Sequence, residues 1–330
     1  MSATADPVAR YLGTFERLRA RKRWSTETAT FRFVALALGA AGAAVDYDRL
    51  EEVAKGLRQR ARWTSPLKSE IRYVVAAMIL RRGLDPVVVH ARVFEARDAF
   101  RAHRIPSRGT GPTLAALLLA LRSEGRAVPP RHVERLAAIY RRWRKDHFWL
   151  TGATDLPAAA LHAGRDESVE VVTADVERAY GSLRDAGFWR GNALQLVSHL
   201  LAVDPRGTDT AVQRFTVVAQ RLRDARERVT TSRYDEVALL ALTQETPGRV
   251  VRRVLGFRDR LRTAKPRPSK DLAFSLAAGI ELAEDSARAS HGSAGDLAAL
   301  QAIRDILDAQ QAATIAAISA SSAAASSGSS

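Results

Sequence analysis

The residues with chemistry to offer gather between positions 146 and 199. There DHFWLTGATDLPAAALHAG precedes a polar stretch and then GFWRGNALQLVSHLLA, which brings His147, Thr151, Asp155, Asn192, Gln195, Ser198 and His199 into the least apolar part of the chain. A histidine, neutral near pH 7, with an aspartate and a hydroxyl is the material of general-base or nucleophilic chemistry, so His147, Asp155 and His199 are the candidate catalytic residues. Thr151, Asn192 and Gln195 are candidate binding groups, and Gln195 and His199, four apart, share one helix face. A second use is open for each. Asp155 and Asn192 stand where helix starts employ such side chains to hold backbone N–H groups, and His199 suits a core position equally well. The chain contains no HExxH, no glycine-rich phosphate loop and no GxSxG, and it has no cysteine. No metal site and no cofactor are therefore expected.

Two further groups could bind a partner. Arginines crowd the ends of the polar stretches, among them Arg141, Arg142, Arg144, Arg221 and Arg223. Such clusters can track an acidic partner or a phosphate backbone, or they can simply offset the negative end of a helix dipole. Trp63, Trp149 and Trp189 follow the same ends, with Phe148 and Phe188 just before the latter two. Tryptophan beside arginine stacks bases or grips a peptide; its commoner use, expected here, is to plug a joint between packed elements.

The elements that must position these residues come from a recurring pattern. Ala/Leu-rich blocks centre on Ala35, Ala76, Ala115, Ala158, Val197, Ala238 and Ala277, at steps of 41, 39, 43, 39, 41 and 39 residues. Between them lie amphipathic stretches closed by Leu57, Phe100, Trp143, Leu183, Leu222 and Leu261. Their apolar positions recur three and four apart, the helical period. Each unit thus reads as an all-apolar inner helix followed by an amphipathic outer helix, with starts at Ser65-Pro66, Asp85-Pro86, Thr246-Pro247, Asn192 and Ser269, and at Asp48 with Glu51. An inner helix apolar on every side leaves water only against its neighbours, so the expected fold is all-α, a superhelix (solenoid) of about seven two-helix repeats of roughly 40 residues. The expected organisation is a basic capping helix over 1–24, the solenoid over 25–318 with a long closing helix from Asp296, and a disordered Ala/Ser-rich tail over 319–330.

At these same residues a resemblance enters. HFWLTGATDLPAAAL, Tyr180, Gly187-Phe188 and GNALQLVSHLLAV resemble a bacterial helical family, found in Bacillus relatives and some actinobacteria, that is known only as a conserved domain of unknown function. The likeness runs over most of residues 15–285 and is strongest at 146–203. The family pattern has a pair of acids where this chain carries Thr154-Asp155, and the resemblance implies no activity.

Composition limits the rest. The chain of 330 residues is 46% hydrophobic and 26% charged, enough to bury a large core. Its net charge of +15, carried almost wholly by arginine, favours acidic partners. No secretion signal or apolar run of membrane-spanning length is legible, so a cytoplasmic protein without a membrane partner is expected. The reading that follows is a non-enzymatic scaffold for an acidic macromolecule, most simply a protein; the oligomeric state is not legible. The alternatives are a nucleic-acid-binding repeat protein, possibly glycosylase-like, with Asp155, Trp149 and Trp189 at its centre, and a small-molecule hydrolase built on His147, Asp155 and His199.

Overall fold

Helix starts along the chain are set by short polar side chains and by proline. The Asp6 carboxylate accepts from the N–H groups of Val8 and Ala9, with Pro7 in the first turn. Asp46 takes Asp48 and Arg49, Asp85 takes Val87 at 2.8 Å ahead of Pro86, and Ser168 takes Val171. Each satisfies donors that the first turn of a helix leaves open. In the computed structural model, which describes residues 6–21, 28–39, 46–146, 151–289, 305, 308 and 309, these starts open fourteen α-helices, and the described residues hold no strand.

The helices are α1 (Pro7–Ala20), α2 (Thr28–Gly39), α3 (Tyr47–Arg60), α4 (Ile71–Arg81), α5 (Pro86–Ala102), α6 (Thr110–Arg122), α7 (Pro130–Asp146), α8 (Leu156–His162), α9 (Val169–Asp185), α10 (Asn192–Leu201), α11 (Thr208–Asp224), α12 (Tyr234–Leu242), α13 (Pro247–Leu261) and α14 (Lys270–Ala289). Three of the expected starts fall elsewhere. Ser65-Pro66 opens a single 3-10 turn, Pro66–Lys68, and α4 begins only at Ile71. Asp46, not Asp48, caps α3. Gly191, with φ 134°, precedes α10, so Asn192 is its first helical residue and not its cap; the turn from α9 needs a backbone conformation that asparagine adopts with strain.

The chain divides into two compact units, Met1–Glu134 with Asp305–Ser330, and Arg135–Arg304. In the first, α1 packs on α2, α2 and α3 on α4, and α5 on α6. In the second, α10 lies against α8 and α12, and α12 against α14, forming one layer; α11 lies against α9 and α13, forming the other. Burial separates the two kinds of helix. All of α6 from Pro112 to Leu121 is buried, whereas α9 buries only the stripe of Val172, Thr173, Val176, Ala179 and Leu183. The large residues closing the amphipathic helices, Phe100, Trp143, Leu183, Leu222 and Leu261 among them, are all interior. A buried side chain of this size contributes roughly 1.5–3 kcal/mol from leaving water.

Arginines close the carboxyl ends of the buried helices. Arg92 Nε donates to Gly125 O after α6, and Arg135 donates to Glu167 O beyond α8. Arg214 donates to the carbonyls of Ala241, Thr243 and Glu245 at the end of α12, at 2.8, 2.9 and 2.6 Å. Arg253 Nε binds the buried Glu281 carboxylate of α14 at 2.7 Å. Residues 49, 92, 135, 175, 214 and 253 share one register, at steps of 43, 43, 40, 39 and 39. The fourth is Asp175, and there Arg165 serves instead: it pairs with Asp175 and donates to Ala202 O at the end of α10. A guanidinium offers several donors in a rigid fork, so one side chain covers the two or three carbonyls that a helix end leaves unsatisfied.

The expected tail over 319–330 lies outside the described residues, as does most of the closing helix from Asp296. Of that helix, Asp305, Asp308 and Ala309 are described and buried; Asp305 and Asp308 pair with Arg81, and Asp305 also with Arg82. At the other end, α1 presents Arg17 and Arg19 to solvent, while Lys22 and Arg23 lie outside the described residues.

Candidate functional site

The polar residues of the 146–199 segment divide between the interior and the surface of the second unit. Thr151 and Gln195 meet: Gln195 Nε2 donates to Thr151 Oγ1 at 3.3 Å, both side chains being buried. Asp155 closes a 3-10 turn, Ala153–Asp155, and its carboxylate accepts from the Gly152 N–H at 2.7 Å. Burial pushes the Asp155 carboxyl above its ordinary value, with the Gly152 bond acting against that shift. Burial also raises the neighbouring Tyr140 phenol; Arg144 opposes the rise and the Asp155 charge adds to it. Asn192 is exposed. His147 and Trp149, with Phe148, lie outside the described residues.

His199 corrects the hydrolase expectation. Its ring is 0% exposed and stacks on Trp143 with centroids 3.8 Å apart, and His162, equally buried, meets both rings edge-on at 5.9 and 6.2 Å. Burial, with the Arg165 charge adding to it, lowers His162 to about 3, so the ring is neutral across the physiological range. A general base must reach its substrate, and His199 lies inside the packed core. Helix periodicity put it on the inward face of α10. Trp143 from α7 and His162 from α8 cover that face.

The tryptophans correct the plug expectation in the opposite sense. Trp63 and Trp189 are 90% and 76% exposed. Phe188 is the plug: it is buried, in edge-on contact with Phe215 at 4.9 Å and Tyr234 at 5.6 Å, beneath the Arg223 guanidinium. Tyr234 Oη accepts from the backbone N–H of Trp189 at 3.1 Å, so the exposed indole stands on a fixed backbone.

Around Trp189 the surface is basic. Helices α9, α11 and α13 lie side by side, and the residues that end them and lead into the next helix include the exposed Arg184, Arg190, Arg221, Arg223, Arg226, Arg228, Lys265, Arg267 and Lys270. Asp185, Asp224, Asp259 and Asp271 are interspersed and leave the balance positive. Arg141, Arg142 and Arg144 are likewise exposed at the end of α7, and Arg142 pairs with Asp146 at 2.7 Å. Close by, the buried Glu227 receives Arg233, Arg258 and Lys270. Burial works against its ionisation, but the bonds from Arg233 and Lys270 and the Arg258 charge outweigh it and hold the carboxyl below its ordinary value.

Sequence reasoning passed over several buried acids, Glu227, Glu236 and Glu281 among them. Glu236, on α12, accepts from Ser275 Oγ of α14 at 2.5 Å. Burial, reinforced by the charge of Asp235, raises its carboxyl well above the ordinary value. The only signal for it was register: Gln195, Glu236 and Ser275 fall at steps of 41 and 39 residues, two places before the centres of three apolar blocks. Among the described residues no group of three or more histidine, aspartate or glutamate side chains stands ready for a metal, and no helix is long and apolar enough to cross a membrane.

Comparison with known proteins places the chain without assigning it an activity. The uncharacterized protein YeaA of Bacillus subtilis (strain 168) is 26% identical over 149 residues, a stretch that is 44% of this chain and 44% of that protein, so the match spans less than half of the curated relative. No solved structure matches the chain. Residues 14–312 match the family described as "Protein of unknown function (DUF4003)", and with nearly all of its length accounted for in this way the chain belongs to that family.

Proposed function

We propose that the chain is a non-catalytic helical-repeat binding protein of the cytoplasm, its two-helix repeats stacked as a solenoid, and that the basic edge around Trp189 takes an acidic protein segment. Repeat stacking is supported by the single register of Arg92, Arg135, Arg214 and Arg253, each reaching a later segment of the chain: Arg92 and Arg214 the carbonyls after α6 and α12, Arg135 the Glu167 carbonyl beyond α8, and Arg253 the Glu281 carboxylate within α14. The observation that carries the binding reading is Trp189 itself. An indole 76% exposed, on a backbone held by Tyr234, next in sequence to the exposed Arg190 and to Phe188, which Arg223 covers, is costly to leave in water and cheap to immobilise. Such a residue is the common centre of a binding hot spot. Flanking arginines supply long-range attraction and orientation.

A second reading, a nucleic-acid partner, draws on the same indole, because base stacking on an exposed tryptophan beside arginine tolerates any sequence. One experiment separates the two. Fluorescence anisotropy with a labelled poly-glutamate peptide and a labelled single-stranded oligonucleotide of equal charge is expected to show tighter peptide binding, lost in a Trp189→Ala, Arg190→Glu, Arg223→Glu variant that keeps its helical circular dichroism. Tighter oligonucleotide binding, falling steeply between about 50 and 200 mM salt, selects the second reading. Equal binding by wild type and variant removes both.

A further inference from the structure

In the first unit, residues of α1 to α4 and Arg21 line an open cavity of about 320 Å³ that neither the repeat pattern nor the binding edge accounts for. Its walls include the rings of Phe31, Tyr47 and Tyr73, and its rim carries Arg21, Asp48 and Glu51. Phe31 and Tyr73 are buried and tilted against one another with centroids 6.1 Å apart. Tyr73 Oη donates to Glu51 Oε1 at 3.4 Å, while Tyr47 Oη is buried with no hydrogen-bond partner. Aromatic faces bordered by carboxylates make an environment for an organic cation, since ring quadrupoles attract positive charge and the acids neutralise it.

The chain already fills that role with one of its own side chains. The Arg21 guanidinium stands over Tyr47, 5.5 Å from the ring centre, and pairs with Asp48. Arg72, which is not among the cavity's lining residues, covers Tyr73 at 4.6 Å, so both tyrosines show their affinity for cations in the folded protein. The Arg21–Asp48 pair is a weak tie: the side chains are 54% and 88% exposed, and an ion pair so open to water contributes little. The positive end of α3 does not oppose a cation, because the Asp46 carboxylate already occupies its free N–H groups.

We propose that this cavity is a binding site for a small organic ammonium compound carrying an apolar group, and that Arg21 is an internal competitor which the ligand displaces. The apolar group would lie against Phe31 and Tyr73, with the ammonium between the Tyr47 ring and the carboxylates of Asp48 and Glu51. The cavity is large enough for an aralkylamine and too small for a folded macromolecule, and the proposal stands independently of the Trp189 edge.

Isothermal titration of the full chain with phenethylammonium, benzyltrimethylammonium and the neutral 2-phenylethanol tests it. The expected result is saturable binding of the two cations with a Kd of about 1 mM or tighter, and about tenfold weaker binding of the alcohol. Arg21→Ala, which vacates the site, is expected to tighten the cations about threefold or more, and Glu51→Gln to weaken them by a similar factor. Both changes are at the surface, and thermal melts of the variants confirm that the fold is kept. Equal binding of the alcohol, no binding by up to about 10 mM, or an Arg21→Ala variant that binds no better than wild type would each overturn the proposal.

Discussion

Trp143 of α7 and His199 of α10 lie face to face, ring centroids 3.8 Å apart and interplanar angle 27°, with His162 of α8 edge-on to both. Three helices therefore meet through aromatic rings, two of which are titratable. His162 is wholly buried, where the interior cannot solvate a charge on its ring.

That burial sets a pH response. Burial first, and the Arg165 charge second, depress folded His162 to about 3, against an ordinary value near 6.5. The unfolded chain binds this proton more readily, so stability is complete above about pH 6.5 and is lost as the pH falls towards about 3. Urea unfolding at pH 7, 5.5 and 4.5 is expected to show falling midpoints for the wild type. In His162→Leu the fall should be markedly shallower; an unchanged slope would assign the acid sensitivity to other groups.

Glu236 carries the opposite sign. Its folded carboxyl lies well above the unfolded value, so its contribution declines as the pH rises through the carboxylate range. Glu236→Gln keeps an acceptor for Ser275 Oγ and removes the buried charge. It should gain about 1 kcal/mol at pH 7, and the gain should shrink at pH 4, where the wild-type carboxyl is itself protonated. A loss of stability at both pH values would contradict this account.

Arginines of one helix are predicted to differ sharply. Arg214 makes three bonds to the carbonyls ending α12, and Arg214→Ala should cost about 1.5–3 kcal/mol. Arg221, one turn and three residues further along α11, is exposed, and Arg221→Ala should stay within about 0.5 kcal/mol of wild type. Chemical denaturation of the two variants side by side makes the comparison.

Adjacent aromatics should separate structure from binding. Phe188→Ala removes a buried ring and is expected to cost about 3–5 kcal/mol. Trp189→Ala should change the thermal midpoint little while abolishing capture of the poly-glutamate peptide. If the Trp189 variant is as unstable as the Phe188 variant, the indole is a packing residue.

What was legible beforehand was whatever repeats along the chain. The blocks around Ala76, Ala115 and Ala277 each mark a buried helix, and the closing residues Phe100, Trp143 and Leu261 each reach the interior, because a period of 3.6 residues and a step near 40 survive in one dimension. The site was less legible for reasons of neighbourhood. His199 suited a core position as well as a catalytic one, and the rings that bury it, Trp143 and His162, lie 56 and 37 positions earlier. Trp189 follows a helix end, where no periodicity tells outward from inward; Gly187, with φ 86°, ends α9, the Phe188 N–H returns to Leu183 O, and Phe188 goes in while Trp189 stays out. Arg214 and Arg221 are the same residue type on one helix; register alone, read against the recurring spacing of the sequence, distinguishes the clamp from the surface cation.

In the second unit, Arg135, Arg165, Arg206, Arg214 and Arg253 all reach forward along the chain, to residues 28–37 positions later. These five clamps therefore have a direction, which the backward pair of Arg258 with Glu227 does not share. Ending translation early would leave these guanidinium groups without their acceptors, whereas starting late would uncover carbonyls and, at Glu281, a carboxylate. Nascent chains should thus gain stability as each later segment arrives to receive the arginine waiting for it.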